Sequence, residues 1–178
     1  KGGEKLVITF GELMDKDGNL TLKNIQCSSK KTTTPPQRIK YKAKKGRNKW
    51  SMSFSVFGFQ YALVMGDIEL KENEIKAVAV YSDLERTGWF ESSNELLDKF
   101  VEATVWSTKG NSLDIPTDCP TRERHGWTGD AQIFYNTASY LFDYNTFSKK
   151  YMADVFDWQK KDGKLPQIAP YGGVDFYM

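Results

Sequence analysis

The sequence predicts two structural classes in succession, a β-sandwich over residues 1–86 followed by helices over residues 87–178. In the first part, short segments alternate charged and apolar residues with a period of two, which is typical of half-buried strands. In the second part, apolar residues recur at helical spacing, which is typical of amphipathic helices. The change of pattern falls between residues 83 and 91, and we expect a domain boundary there.

The first part consists of short apolar or alternating segments separated by turn residues. Charged and apolar residues alternate over 38–44, and large side chains alternate over 50–57. Residues 15–19 read Asp-Lys-Asp-Gly-Asn, which is turn chemistry. Short strands separated by turns favour a sandwich. The predicted strands are 6–10, 38–44, 50–57, 60–65 and 77–81, and residues 28–36 are a predicted loop.

The second part contains three helix signals. Ser92, with Glu95 three positions later, has the pattern of a capping box and predicts a helix start at Ser92. This helix is expected to end near Gly110, because glycine commonly follows the last helical turn. Its predicted buried face contains Leu97, Val101 and Val105. Thr128 or Gly129 is predicted to cap a second helix, and Asn145 or Thr146 to cap a third that ends at Gly163. The apolar residues of the third helix are Phe147, Tyr151, Val155 and Trp158.

The composition excludes several classes of protein. The net charge of the 178 residues is only +2, which gives no global attraction to nucleic acid or to an anionic membrane. The chain has no uninterrupted apolar run of about 18 residues, the length that a spanning helix needs. The start of the chain lacks the apolar core of a signal peptide, and both ends resemble internal sequence. We therefore expect a fragment of a longer protein, whose compartment, cytoplasmic or periplasmic and secreted, stays open.

One segment of the first part is strongly basic. Ten basic residues and no acidic residue lie between Asp17 and Asp67. Such a segment could bind nucleic acid or an anionic glycan. The alternation of its lysines with Ile39, Tyr41 and Ala43 favours the other interpretation, a solvated outer face of a strand.

The two cysteines, Cys27 and Cys119, indicate no metal site, because there is no Cys-x-x-Cys spacing and no cluster of histidine with cysteine. A disulfide between these two residues is an open alternative to two free thiols.

The residues best suited to chemistry are concentrated in one loop, residues 111–130. It contains four carboxylates, two arginines, a tryptophan and the single histidine of the chain, and two prolines and two glycines punctuate it. Such punctuation predicts a loop with a fixed path. Loops held by a rigid scaffold often carry catalytic groups.

The loop supplies the side chains that hydrolysis of a glycosidic bond requires. One carboxyl must protonate the leaving oxygen, and a carboxylate must activate water or attack directly. Further carboxylates, an arginine and an aromatic ring suit the hydroxyls and the apolar face of a sugar. The candidate residues are Asp118, Arg122, Glu123, Trp127 and Asp130.

A purely structural interpretation of the same residues remains open on composition alone. Asp118 and Asp130 would then cap a turn and a helix start, and Arg122 and Arg124 would pair with them. Trp127 would be a core residue. Asp114 is interpreted as a turn residue in either case.

Residues 116–132, Pro-Thr-Asp-Cys-Pro-Thr-Arg-Glu-Arg-His-Gly-Trp-Thr-Gly-Asp-Ala-Gln, resemble the signature of the bacterial α-L-rhamnosidases of glycoside hydrolase family 78. The chain departs from that signature at Thr121, where Gln or Asn is usual, and at His125, where Leu is common. We interpret His125 as structural, although it could change the charge or shape of the pocket. Further similar segments are 57–61, 87–94, 158–166 and 169–170.

The resemblance implies a fold and a reaction. The family joins β-sandwich domains to an (α/α)6 barrel and cleaves terminal α-L-rhamnosides with inversion. By position, Glu123 would be the general acid, Asp118 and Asp130 would hold rhamnose hydroxyls and tune Glu123, Arg122 would bind substrate, and Trp127 would line the apolar face of the sugar. The family takes its general base from a glutamate later in the chain. Residues 87–178 would thus be the N-terminal part of the barrel, inactive alone and with exposed apolar helix faces.

Two other functions remain open, a non-catalytic carbohydrate-binding fragment and an (α/α)6-barrel glycosidase with another sugar specificity. The implied partner is a rhamnose-containing oligosaccharide or glycoside. We expect no cofactor, no metal, no nucleic acid and no membrane as partner, since only the basic segment could favour nucleic acid, and a homo-oligomer is left open.

Overall fold

The computed structural model describes residues 2–26 and 34–172. The chain divides into two compact units, Lys1–Val78 and Ala79–Met178. The first unit contains strands and the second contains three helices, in the order that the sequence predicts. Within the described ranges, no helix is long and apolar enough to cross a lipid bilayer.

The first unit is built on an antiparallel sheet of three strands with β1 (Lys5–Gly11) in the centre. Alternate residues of β1 face one side, where Leu6, Ile8 and Phe10 form a buried cluster. The neighbours of β1 are β4 (Arg38–Lys42) and β5 (Tyr61–Gly66). Two short strands, β2 (Leu13–Met14) and β3 (Leu20–Thr21), form a hairpin around the predicted turn at 15–19.

The basic segment places its charges outward on β4. Arg38, Lys40 and Lys42 are exposed, whereas Ile39 and Tyr41 are partly buried against the core. The alternation therefore reflects an outer strand face, which favours the structural interpretation of these charges. Residues 27–33, which include Cys27 and most of the predicted loop, lie outside the described residues.

The predicted strands at 50–57 and 77–81 are wrong, because the structure has no strand at either place. Phe54 is completely exposed. The ring of Phe57 packs against that of Phe10, with 5.1 Å between the ring centroids, but the backbone of Phe57 belongs to no strand. Alternation identifies a potential face, but a strand also needs a hydrogen-bonded neighbour. In the described ranges, no strand pairs with either segment.

The first helix of the second unit is α1 (Glu95–Gly110), which ends where the sequence predicts. The predicted start at Ser92 is wrong, because the cap is Asn94, whose Oδ1 accepts a hydrogen bond from Leu96 N at 3.0 Å. The Ser92 hydroxyl bonds to Asp98 Oδ1 at 3.0 Å instead. The predicted buried face is only partly buried, since Val105 is enclosed but Leu97 is exposed.

Two further helices follow the loop. They are α2 (Thr128–Leu141) and α3 (Asn145–Asp157). Both begin one residue after an uncharged aromatic residue whose side chain makes no cap, so the predicted capping side chains are not used as such. The helix α3 also ends before Gly163, which was predicted as its end; residues 158–172 form an irregular segment.

The helices of the second unit enclose two buried clusters. One contains Val105, Ala138, Phe142 and Phe147, and the other contains Ala131, Tyr151, Val155 and Ala169. Because Ala169 belongs to the second cluster, the segment after α3 returns to the start of α2. That return places it against the loop between α1 and α2.

Candidate active site

The loop between α1 and α2 starts with a hairpin of two short strands of two residues each, β6 (Ser112–Leu113) and β7 (Ile115–Pro116). Asp114 lies at its turn with φ of 69°. Its N–H donates to Ser82 Oγ at 3.0 Å, and its carboxylate lies 3.0 Å from Lys150 Nζ. Asp114 is therefore a turn residue, as expected.

Asp118 closes the next part of the loop on itself. Its Oδ1 accepts from His125 N at 3.0 Å, and its own N–H donates to His125 O at 3.1 Å. These two bonds fix residues 118–125 as a compact loop. The Oδ1 atom of Asp118 therefore has a structural role, because it caps a turn of the loop.

Glu123 lies inside this compact loop and accepts hydrogen bonds at both carboxylate oxygens. Oε1 lies 2.5 Å from an Arg122 guanidinium nitrogen, and Oε2 accepts from Trp127 Nε1 at 3.1 Å. The Glu123 N–H donates to Cys119 Sγ at 3.3 Å. The side chain of Glu123 is 25% exposed and that of Arg122 is 47% exposed, so solvent reaches the pair. Cys119 is a free thiol.

A cavity of about 530 Å³ lies beside the loop and is lined by Asp118 and Asp130. Asp130 belongs to the first turn of α2, where the helix dipole favours a negative charge. The remaining lining includes the polar residues Asn111 and Thr117 and the apolar Phe134. A cavity of this size has room for a monosaccharide.

The structure thus divides the five predicted site residues into two groups. Asp118 and Asp130 share the cavity, whereas Arg122, Glu123 and Trp127 form a hydrogen-bonded cluster that does not line it. The two groups are joined through the backbone of His125, which Asp118 holds. A saccharide placed in the cavity would lie on one side of this loop.

Three residues outside the predicted set, Tyr151, Ile168 and Ala169, contact the loop at Gly126 and Trp127. Tyr151 Oη donates to Gly126 O at 2.7 Å, and Ala169 N donates to the same oxygen at 2.9 Å. Trp127 and Ile168 form an isolated antiparallel bridge. The regular spacing of Tyr151 within an amphipathic helix indicated only a core position, and no local signal identified its hydrogen bond.

Burial changes the acidity of the tyrosines in this core. It raises the pKa of the Tyr151 hydroxyl above the ordinary range, and the Asp154 and Asp130 carboxylates raise it further. Burial also raises the pKa of Tyr144, partly offset by its hydrogen bond with Ser112. Both phenols therefore remain protonated at neutral pH, and Tyr151 remains a donor to Gly126.

The described residues offer no cluster of three or more His, Cys, Asp or Glu side chains suited to a metal ion. The His125 ring packs beside Gly172, where an added Cβ would meet ring atoms at 2.9 Å.

Comparisons with known proteins agree with the resemblance in the loop. Residues 85–177 match the family model of the bacterial alpha-L-rhamnosidase 6 hairpin glycosidase domain. Residues 1–81 match the model of the bacterial alpha-L-rhamnosidase concanavalin-like domain.

Curated proteins with similar sequences are named alpha-L-rhamnosidase. An alpha-L-rhamnosidase of Formosa agariphila is 36% identical over 176 residues, which are 96% of this chain and 18% of that protein. One from Alteromonas sp. (strain LOR) is 33% identical over 96% of this chain and 18% of its own length. The chain therefore spans less than a fifth of the length of these relatives.

Solved structures of alpha-L-rhamnosidases have the same fold. The enzyme of Dictyoglumus thermophilum superposes with a TM-score of 0.87 at 32% identity, over 96% of this chain and 19% of that one. The Streptomyces avermitilis enzyme, solved with L-rhamnose, gives a TM-score of 0.88 at 27% identity over 98% of this chain and 17% of that one. Two matched domain models in sequence, and relatives similar along nearly the whole segment, show that this chain belongs to the bacterial α-L-rhamnosidase family.

Proposed function

We propose that this chain is part of an enzyme that hydrolyses terminal α-L-rhamnosides with inversion of the anomeric configuration. The observation that carries the proposal is the loop after α1, which holds Glu123 and Trp127 in contact beside the cavity of Asp118 and Asp130. This loop lies in the region that matches the hairpin glycosidase model.

We also propose that residues 1–86 are a β-sandwich domain and residues 87–178 the N-terminal part of an (α/α)6 barrel. The matches of the two family models to residues 1–81 and 85–177 support this division.

In the proposed reaction, Glu123 is the general acid. Its carboxyl proton moves to the glycosidic oxygen while the bond from that oxygen to the anomeric carbon breaks. Water attacks the opposite face of the anomeric carbon and gives up a proton to a second carboxylate, which we place in the part of the relatives that this chain does not span. The products are rhamnose and the free aglycone alcohol.

The contacts of Glu123 set a condition on this role. A protonated carboxyl donates through its O–H, whereas both oxygens of Glu123 accept hydrogen bonds here. We propose that substrate draws Arg122 away from Oε1, so that Arg122 binds substrate and Oε1 becomes free to carry the proton. Trp127 keeps Oε2 in place and presents its ring to the sugar.

Asp118 and Asp130 are proposed to bind the hydroxyls of the rhamnose. The Oδ1 of Asp118 is engaged with His125 N, so its second oxygen is the one available to the ligand. Asp130 is exposed on the first turn of α2 and lines the same cavity.

A Glu123→Gln substitution in the full-length protein tests the role of the acid. We expect turnover of aryl rhamnosides with poor leaving groups to fall by about 10²–10⁴-fold, the usual contribution of a general acid. Rhamnose binding, measured by calorimetry, should persist because Gln keeps the shape of the side chain. Unchanged turnover would reject the assignment.

A second candidate is carbohydrate binding without catalysis by this site. The observation in its favour is that the cavity is lined by Asp118 and Asp130 but not by Glu123. Binding of rhamnose to a full-length protein that releases no aglycone from any nitrophenyl glycoside would favour this candidate. Turnover of a glycoside other than the rhamnoside would indicate a different sugar specificity.

A further inference from the structure

The carbonyl oxygen of Gly126 is held by two donors from distant parts of the second unit. One is the hydroxyl of Tyr151 in α3 at 2.7 Å, and the other is the N–H of Ala169 in the segment after α3 at 2.9 Å. A carbonyl has two lone pairs, so both are used. We call Tyr151, Gly126 and Ala169 the Gly126 clamp. Tyr151 is 1% exposed and Ala169 is fully buried, so water does not compete for these bonds.

The clamp has no spare room. A Cβ at Gly126 would collide with Ala169 O and would lie 3.0 Å from the Tyr151 ring. Glycine is therefore required here by close packing, since its φ is not positive. The backbone at residue 126 is consequently fixed in position as well as in hydrogen bonding.

The residues on either side of Gly126 connect the clamp to the predicted site. On one side, His125 N donates to Asp118 Oδ1 at 3.0 Å. On the other, Trp127 Nε1 donates to Glu123 Oε2 at 3.1 Å. A displacement of Gly126 would move both donors, and with them the carboxylates that they hold.

We propose that Tyr151 is a positioning residue for the proton donor Glu123, acting through Gly126 and the indole of Trp127; this inference rests on the proposed function. Removing the Tyr151 hydroxyl leaves one buried lone pair of Gly126 O without a donor and loosens the loop at this point. Small displacements matter in such a site, because an error of about 1 Å in a reacting group can cost roughly 10²-fold in rate.

Leaving-group dependence distinguishes positioning of the acid from a general loss of structure. A dinitrophenyl leaving group departs without protonation, whereas a phenyl leaving group depends on the general acid. In the full-length protein, Tyr151→Phe should lower kcat for phenyl rhamnoside by roughly 10- to 100-fold and that for dinitrophenyl rhamnoside by less than about threefold. Gly126→Ala should show the same selectivity, because it displaces the same carbonyl.

Tyr135→Phe is the matched control, since it removes another phenolic hydroxyl from the same core. Within the described residues the Tyr135 hydroxyl is buried without a hydrogen-bond partner, and the nearby Ser148 hydroxyl donates to Tyr144 O at 2.7 Å instead. The ring of Tyr135 packs edge-on against that of Tyr151. This variant should turn over both substrates like the wild type.

Each outcome has a defined meaning. Equal losses on both substrates in Tyr151→Phe and Gly126→Ala, or no loss in either, would overturn the positioning role. If Glu123→Gln itself shows no selectivity between the substrates, the proposed function fails. If Glu123→Gln is selective and Tyr151→Phe is not, only the present inference fails.

Discussion

At the scale of single residues, the carboxylates of the candidate site are held by the hydrogen bonds that they accept. Glu123 accepts from Arg122 and Trp127, and Asp118 accepts from the backbone of His125. Hydrogen bonds that involve a charged group are about twice as strong as neutral ones. The donors to Glu123 and Asp118 thus belong to the same stretch of sequence as the two carboxylates. The three residues that form the cluster, Arg122, Glu123 and Trp127, lie within six positions of one another, which is why one short segment of sequence contains them all.

Tyr151 could not be identified in the same way, because its hydrogen bond spans the distance from α3 to residue 126. A buried tyrosine in an amphipathic helix is usually a core residue, and the sequence does not show which carbonyl lies opposite its hydroxyl. The division of the five candidates between cavity and cluster also depends on the path of the loop. The residue types together with the resemblance to the rhamnosidase signature predicted the chemistry, whereas the backbone path determined which of these side chains are in contact.

Because these tyrosines are buried, we expect the folded protein to lose stability at alkaline pH. Burial raises the pKa of Tyr135, and its neighbours Tyr151 and Tyr144 raise it further above the ordinary value of 10.0. The folded state therefore keeps a proton that the unfolded chain loses, so this contribution is complete below 10.0 and is lost as the pH rises above that value. The urea midpoint of the full-length protein should fall as the pH rises from about 10 to about 11, and fall less in Tyr135→Phe.

The same variant provides the comparison at neutral pH, where no tyrosine ionises and the two midpoints should differ little. Parallel alkaline losses in wild type and Tyr135→Phe would contradict the assignment to this side chain.

At the scale of secondary-structure elements, the start of α1 shows how a capping pattern can select the wrong residue. Ser92 and Asn94 are both good N-cap residues, and Glu95 completed a box only with Ser92. In the structure, Ser92 bonds to Asp98 Oδ1, and Asn94 accepts from Leu96 N. When several good N-cap residues follow one another, the sequence predicts that a helix starts there but not at which residue it starts.

Asn94→Ala should destabilise the second unit by about 1 kcal/mol, the usual cost of losing a cap. Asn94→Asp keeps the acceptor oxygen and should remain close to the wild type. Thermal unfolding of the full-length protein measures both. A larger effect of Asp than of Ala at this position would refute the assignment of the cap.

The strands show a related limit. The predictions of β1 from a short apolar run, of β4 from alternation and of β5 as a further candidate are confirmed, and each of these segments pairs within one sheet. Residues 50–57 have an equally clear alternation but no strand partner in the described part of the chain. Pairing is a property of two segments, so the pattern of one segment cannot establish it.

At the scale of the whole molecule, the second unit exposes large apolar side chains on all three helices. They include Leu96 and Phe100 on α1, Ile133 on α2 and Phe156 on α3. Contiguous exposed apolar surface usually marks an interaction site. Since the chain spans only 18% of a curated relative, we propose that further helices of the proposed (α/α)6 barrel cover these faces in the full-length protein.

Phe100→Lys in the full-length protein tests this inference. Phe100 is 69% exposed in this segment, and a substitution at a truly exposed site usually changes stability by no more than about 0.5 kcal/mol. If further helices cover the ring, the variant should lose at least about 1.5 kcal/mol, the value of burying a phenylalanine. Lys99→Ala, at the neighbouring exposed position, is the control. Equal, small effects of the two changes in chemical denaturation would refute the covering.

The closure of the loop by Asp118 has a consequence for variation at one position. His125 contributes its N–H and its carbonyl to that closure, and its carbonyl also accepts from Trp127 N at 3.0 Å. These are main-chain groups, common to nearly every amino acid, so the identity of the ring is not what shapes the turn. Residue 125 is accordingly a suitable position for saturation mutagenesis, where new side chains can be placed near Glu123, the proposed proton donor, without a change in the backbone path.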